Sequence, residues 1–405
     1  MIPARPRLYE AILREHFADN RQMAFLSGPR QVGKTTIARS LGDVYLDWDS
    51  DDARTAIVAG QRAVADLARL DSAATAGTSP LVVFDEIHRY GRWKTFLKGF
   101  FDVYSPKARI LATGSARMDV FKRGGDSLMG RYFPYRMHPF SVAELLSPAL
   151  PPASLLRPPS PLPPDDWKAF LAFGGFPEPF SRRTPRFSSR WNRLRDEQLL
   201  RDDIRDLSRI AEISQLAVLA RILLQRSGTQ LLWSALAADT KTDEKTAKRW
   251  VAALSSLYFG FTVTPWFRNV ANSLRKTPKW YLRDWARVAD SGQRFETFVA
   301  CHLLKAVETW TDLGYGDFSL HYLRDKQKRE VDFLVARDGS PWFLVEAKVS
   351  DGRISPALAH FQRATSAPYA FQVVLDAPFR PFDAFAAPSS PPVALPALAF
   401  LSQLV

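Results

Sequence analysis

Cysteine is nearly missing from this chain. Cys301 is the single thiol in 405 residues, which excludes an internal disulfide framework and any multi-cysteine metal site. It sits in the apolar, helix-like run 298–304 and reads as a core residue. No apolar run reaches the ~18–20 residues of a membrane span. The N-terminus, Met1-Ile2-Pro3-Ala4-Arg5-Pro6-Arg7, lacks a signal-peptide core. The expectation is a cytoplasmic protein with no membrane contact. Acids are also scarce: 42 Asp and Glu face 55 Lys and Arg, for a formal net charge of +13. That imbalance favours an acidic partner, nucleic acid first, or reflects only a basic, Arg- and Pro-rich proteome. The distribution of charge must separate the two.

What is present begins with length. At ~150 residues per domain the chain predicts two to three domains, each able to bury its own core. Near the N-terminus, Gly28-Pro29-Arg30-Gln31-Val32-Gly33-Lys34-Thr35 fits the phosphate-loop pattern G-x-x-x-x-G-K-[ST]. An apolar run (23–26) precedes it and a helix-like run follows from Thr36, the strand–loop–helix setting the motif needs. Gly28 and Gly33 let the backbone curl its N–H groups inward onto phosphate oxygens, and the new helix adds its positive end. Lys34 is placed to reach the β- and γ-phosphates, and the Thr35 hydroxyl to hold Mg²⁺. The sequence predicts a nucleoside triphosphate ligand.

Up to about residue 146, strands and helices alternate. The apolar run 81–84 ends in Asp85 and Glu86; such a continuous apolar strand suits a parallel sheet covered on both faces, and its end is where such sheets bind ligands. Asp85 is the candidate for the Mg²⁺ shell and Glu86 for orienting or deprotonating the attacking water. A further strand, 109–113, ends in Thr113, Gly114 and Ser115. The Thr113 or Ser115 hydroxyl is either a γ-phosphate sensor or part of an ordinary turn. Arg131 is either an arginine finger, acting within the chain or on a neighbour, or a surface residue.

Residues 147–166 are Pro-rich and read as a linker or extended loop. Helical patterns follow, with an Arg-rich, acid-interleaved stretch from Arg182 to Arg209 expected to be a solvated helix face. Two further helices are expected, one at 231–237 and one from Thr242 to Tyr258. They resemble a helix-turn-helix, with 261–263 and 279–282 as the wing. From 241 to 283, nine basic residues (Lys241, Lys245, Lys248, Arg249, Arg268, Arg275, Lys276, Lys279, Arg283) face two acids, Asp243 and Glu244. That surplus predicts DNA contact, or else a basic face that docks an acidic protein.

The last third carries a second constellation. Strands 330–336 and 342–348 are joined by Arg337-Asp338-Gly339-Ser340-Pro341, a hairpin signal. A three-residue loop sets Asp332 opposite Glu346, with Lys348 on the same face. Two carboxylates and a lysine on one sheet face predict a Mg²⁺ site with a catalytic lysine, completed by Glu296 from the helix before them. Otherwise Glu346 and Lys348 are a neutralising pair.

With both constellations in view, the chain resembles a widespread prokaryotic family of AAA-superfamily ATPases. In that family a winged helix and a C-terminal domain similar to PD-(D/E)XK nucleases follow the ATPase domain. The resemblance rests on the phosphate loop 28–36, Phe84-Asp85-Glu86-Ile87-His88, Thr113-Gly114-Ser115 and Leu128-Met129-Gly130-Arg131. It continues through Gly174-Gly175-Phe176-Pro177, Glu330-Val331-Asp332-Phe333 and Val345-Glu346-Ala347-Lys348. It implies an α/β fold, ATP rather than GTP, and the roles above for Lys34, Asp85 and Glu86. The implied layout is an AAA-type domain at 1–146, a linker at 147–166, a helical and winged-helix domain at 167–285 and a nuclease-like domain at 286–405. Val331 stands where such nucleases usually carry Pro before the first catalytic Asp. Two functions are thus expected: a DNA-binding ATPase with a Mg²⁺-dependent nuclease domain, or a signalling or protein-interaction ATPase whose nuclease-like domain is an inert scaffold; under either, a homo-oligomer or a protein partner is a candidate.

Overall fold

The computed structural model describes residues 5–75, 79–114, 128–150, 155–199, 213–266, 277–350 and 352–405. The chain divides into two compact units, one of residues 1–139 and 148–150, the other of residues 140–147 and 151–405.

The first unit is built on strands β1 (Met23–Ser27), β2 (Val44–Asp47), β3 (Leu81–Asp85), β4 (Arg109–Gly114) and β5 (Tyr132–Arg136). All four ladders are parallel, in the order β2-β3-β4-β1-β5. β1 and β3 are buried at every residue, as expected for strands covered on both faces. The helix Trp93–Tyr104 buries Trp93, Phe96, Leu97, Phe100 and Phe101, one stripe at helical spacing. Its Phe96 and Phe100 rings meet Phe84 of β3 edge-on, at 5.6 and 5.3 Å. Each such buried aromatic contributes roughly 2–3 kcal/mol.

The second unit carries an eight-stranded sheet. Its strands are β6 (Thr229–Gln230), β7 (Gly260–Pro265), β8 (Lys279–Leu282), β9 (Phe318–Arg324), β10 (Glu330–Arg337), β11 (Ser340–Lys348), β12 (Tyr369–Val374) and β13 (Val393–Pro396). The order is β13-β12-β11-β10-β9-β7-β8-β6. Thr264 and Pro265 of β7 pair with His321 and Tyr322 of β9, so the sheet runs through the expected boundary at 285 and 286. Helices Trp233–Asp239 and Glu244–Ser256 precede β7. Asp243 caps the second, accepting from Thr246 N at 2.9 Å. The long helix Ser291–Asp312 packs against β9, β10 and β11.

The β10–β11 hairpin differs in detail from expectation. Arg337 pairs with Ser340, so the loop is the two residues Asp338 and Gly339. Both have positive φ, 51° and 76°, as a type I′ turn requires. A bulge beside Val335 and Ala336 then absorbs one extra residue of β11, and Phe333 pairs with Val345. One step further along that register, Asp332 stands opposite Glu346. A shorter loop plus a bulge arrives at the same pairing.

The Pro-rich stretch carries no helix or strand from 157 to 163, but it is fastened rather than a free spacer. Arg157 N donates to Gln403 O at 2.9 Å and Ser160 N to Ser402 Oγ at 3.1 Å. Among the described residues, no helix is long and apolar enough to cross a membrane.

A buried polar group in this unit gives a pH test. His302 Nδ1 donates to Phe298 O at 2.8 Å, and Nε2 accepts from Val142 N at 3.1 Å. Both ring nitrogens are used by the neutral ring, and a second ring proton would face the Val142 N–H. Burial, followed by the nearby Lys305 charge, pushes His302 down to about 3. The unfolded chain therefore binds a proton that the folded chain refuses. The His302 contribution to stability is complete above pH ~6.5 and falls below it, by up to ~1.4 kcal/mol per pH unit. Between pH 7 and 5 the stability of the parent relative to His302→Gln, measured by denaturation of the full chains, should show that loss, because Glu296 and Glu346, pushed up to about 7, add the opposite slope to both chains. An unchanged slope in the variant would remove His302 as the cause.

Candidate functional site

The parallel sheet brings the phosphate loop and the acidic pair to one edge. Ser27 at the end of β1 pairs with Gly114 of β4, while Phe84 pairs with Ala112. β4 thus lies between the two, and Thr113 reaches Asp85. The loop from Gly28 needs its glycines. A Cβ on Gly28 would lie 2.4 Å from Met137 O, and Gly33 has φ +109°. Gln31 also takes positive φ, 61°. The helix Lys34–Leu41 then starts with no acidic residue in its first turn, which leaves its positive end to an anion.

Lys34 Nζ donates to Gly28 O and Pro29 O, each at 2.9 Å. Thr35 Oγ1 donates to Asp85 Oδ2 at 2.9 Å. The Tyr45 hydroxyl donates to the same oxygen and Thr113 Oγ1 to Oδ1, so three hydroxyls from three elements converge on one buried carboxylate. Burial, then the bond to Asp85, pushes the Tyr45 phenol up. Glu86 takes left-handed φ and ψ of 53° and 26° at the start of a 3₁₀ turn. Its N–H donates to Thr113 Oγ1 at 3.4 Å, and its Oε2 lies 3.7 Å from His88 Nε2. Arg30 is half-buried and Thr36 exposed. Ser115 lies outside the described residues.

The cis role expected of Arg131 is corrected. Arg131 precedes Tyr132, which pairs with Met23 at the start of β1, while the phosphate loop leaves the other end. The five residues of β1 separate them by ~16 Å. Arg131 instead makes a bidentate pair with Asp102, at 2.7 and 3.0 Å.

Three supports were missed in the sequence. The buried Arg7 guanidinium donates to Val32 O, and to His138 O at 2.6 Å, holding the loop from beneath. Met137 N donates to Ser27 O at 2.7 Å. Tyr45 is the third. None carries a local motif.

In the second unit, two of the predicted acids, Glu296 and Asp332, come together with Glu330, but around a lysine. Lys279 Nζ on β8 lies 3.0 Å from Glu296 Oε1, 2.6 Å from Glu330 Oε1 and 3.8 Å from Asp332 Oδ1. Tyr281 OH donates to Glu296 Oε1 at 2.7 Å, and Ala347 N to Asp332 Oδ2 at 2.9 Å. Lys348 Nζ lies 2.8 Å from Glu346 Oε1, the neutralising arrangement. Burial, then the Asp332 carboxylate, push both Glu296 and Glu346 up to about 7. Burial disfavours the Lys279 ammonium, but Glu296, Asp332 and Glu330 outweigh it and raise its pKa. Among the described residues, no three His, Cys, Asp or Glu side chains are arranged to hold a metal ion. The set Glu296, Asp332 and Glu346 therefore does not fit the Mg²⁺ expected there.

The basic surplus is also smaller at the surface than in the sequence. Lys279 and Arg283 are buried, each 3% exposed; Arg283 lies over the Tyr258 and Phe261 rings at 5.0 and 5.4 Å. Lys241, Lys245, Lys248 and Arg249 are exposed, as are Asp243 and Glu244. Arg268, Arg275 and Lys276 lie outside the described residues.

Residues 20–146 match a family model described as an AAA domain. This region is an AAA-type P-loop domain. Beyond the AAA domain, residues 164–289 and 291–377 match two domains of unknown function, DUF8612 and DUF4143. Uncharacterized proteins of Mycobacterium bovis and Mycobacterium tuberculosis are each 27% identical over 354 residues, covering 83% of this chain and 72% of theirs. Among solved structures, PCH-2 of C. elegans is similar over 62% of this chain and 67% of its own, with 14% identity and a TM-score of 0.26. A STAND protein with a tetratricopeptide repeat sensor from Pyrococcus horikoshii covers 74% of this chain and 47% of its own, at 10% identity and a TM-score of 0.22.

Proposed function

We propose that the AAA domain binds and hydrolyses ATP at the edge where β1, β3 and β4 end, and that the second unit delivers the resulting change to a partner. The observation that carries this is the convergence of Thr35 and Thr113 on Asp85 beside the Lys34 loop. The Thr35 hydroxyl and the Asp85 carboxylate are hard oxygen donors and fit Mg²⁺. Bound there with the nucleotide, the ion would neutralise phosphate charge. Lys34 exchanges its bonds to Gly28 O and Pro29 O for phosphate oxygens. The N–H groups of residues 29–35 line the same phosphates. Glu86 orients the attacking water and takes its proton, while Thr113 fixes Asp85 and the Glu86 backbone.

Glu86→Gln tests this reading. It removes the base without removing a phosphate contact. ATP affinity should stay within a few-fold of the parent while turnover falls by about 100-fold or more. Undiminished phosphate release would place the base elsewhere.

For the second unit, the scaffold reading is favoured over metal-dependent cleavage, because Lys279 lies among the carboxylates a metal would need. The order helix, β9, β10, β11, helix, β12 still supports the likeness to nuclease-like folds. Helices 233–239 and 244–256 with β7 and β8 support the winged-helix likeness. DNA contact keeps one supporting feature: Lys245, Lys248 and Arg249 are exposed at i, i+3 and i+4 on one helix. An oligomer remains the setting in which Arg131 would act, on a neighbour's nucleotide.

A further inference from the structure

The four carboxylates of the cluster at Lys279 and Lys348 come from three elements, and their compensation is uneven. Glu330 has Arg324 at one oxygen and Lys279 at the other. Glu346 has Lys348 at Oε1, while its buried Oε2 makes no full hydrogen bond among the described residues, although the Asp332 backbone favours the charged carboxylate. Its side chain is only 8% exposed. Glu296 and Asp332 are both within 4 Å of the Lys279 ammonium, and no other salt bridge to either is found among the described residues. The Lys279 side chain is itself 4% exposed. A buried ammonium is held there only because carboxylates surround it.

We propose that this centre is a cation socket filled by the chain's own Lys279, and that Lys279 is the residue that excludes divalent metal from it. The charge balance supports this. Removing the ammonium takes the ion-pair partner from Glu296 and Asp332, leaving Lys348 as a cation that still acts on both, and Glu346 is close enough to Asp332 for the two carboxylates to act on each other. Two negative charges and several hard oxygen donors are what a divalent cation of the Mg²⁺ or Mn²⁺ class takes. The contacts at 2.6, 3.0 and 3.8 Å place the ammonium where a bound cation would sit among these oxygens. The inference concerns the second unit and stands whether or not the AAA domain turns over ATP.

The test measures free Mn²⁺ by electron paramagnetic resonance during titration of the full chain without nucleotide. The parent, Lys279→Ala, Lys279→Arg, Asp332→Asn and the double variant Lys279→Ala/Asp332→Asn are compared. Lys279→Ala should gain one site at least about tenfold tighter than any in the parent. Lys279→Arg should not gain it, and the double variant should lose it. A parent whose Mn²⁺ binding is abolished by Asp332→Asn would overturn the proposal, as would a folded Lys279→Ala that binds no more than the parent. Where Lys279→Ala is unfolded in chelator, Mn²⁺ should restore its circular dichroism. Failure to restore it counts against the socket.

Discussion

Lys34→Ala is expected to lower ATP turnover by at least about 100-fold, with a parallel loss of tight nucleotide binding. The Nζ is 2.9 Å from two loop carbonyls and 5% of the residue is exposed, so the charge is held in the loop before any phosphate arrives. Alanine removes the cation and both bonds. The Arg7 contacts to Val32 O and His138 O, and the Met137 contact to Ser27 O, remain to hold the loop. The variant should therefore keep its fold. Phosphate release and binding of a fluorescent nucleotide measure the two effects separately. Turnover at the parent rate would take the phosphate loop out of the mechanism.

The largest expected effect on stability lies in the second unit. Lys305 on the helix Ser291–Asp312 pairs with Glu144, and their side chains are 2% and 0% exposed. Lys305→Met keeps the length and removes the charge, leaving a carboxylate in a site closed to water. A loss of ~3–5 kcal/mol is expected, reduced in so far as the charge of Arg157, which also acts on Glu144, compensates. The double variant Glu144→Gln/Lys305→Met should recover most of it. Denaturant titration followed by tryptophan fluorescence reads both. A single variant as stable as the parent would show that the carboxylate finds another partner or takes up a proton.

What was legible in the sequence was local. The phosphate loop carries its own geometry in Gly28, Gly33 and Lys34, and the run into Asp85 and Glu86 states both burial and chemistry. Register was legible too, though by a different route: the bulge beside Val335 makes up for a loop one residue shorter than expected. Long-range pairing was hidden. Arg7 and Met137 serve the loop from opposite ends of the first unit, and nothing in their surroundings marks them. Lys279 looked like one more base in a surface stripe, because the pairing of β7 with β9 that carries β8 to the acids has no local signature. The choice among readings of Arg131 stayed open for the converse reason. Its motif is local, but the end of the strand it occupies depends on the parallel pairing of β5 with β1.

The Lys279 centre also bears on how this chain can be cut and inherited. The lysine and Tyr281 lie in the segment that matches DUF8612, while Glu296, Glu330, Asp332 and Glu346 lie in the segment that matches DUF4143. A seam drawn at residue 290 leaves the base on one side and four acids on the other. The two segments are separate by family description yet share one set of counterions. A gene fusion that exchanged either for an unrelated module would strand the charges of the other, so the pair is bound to travel together.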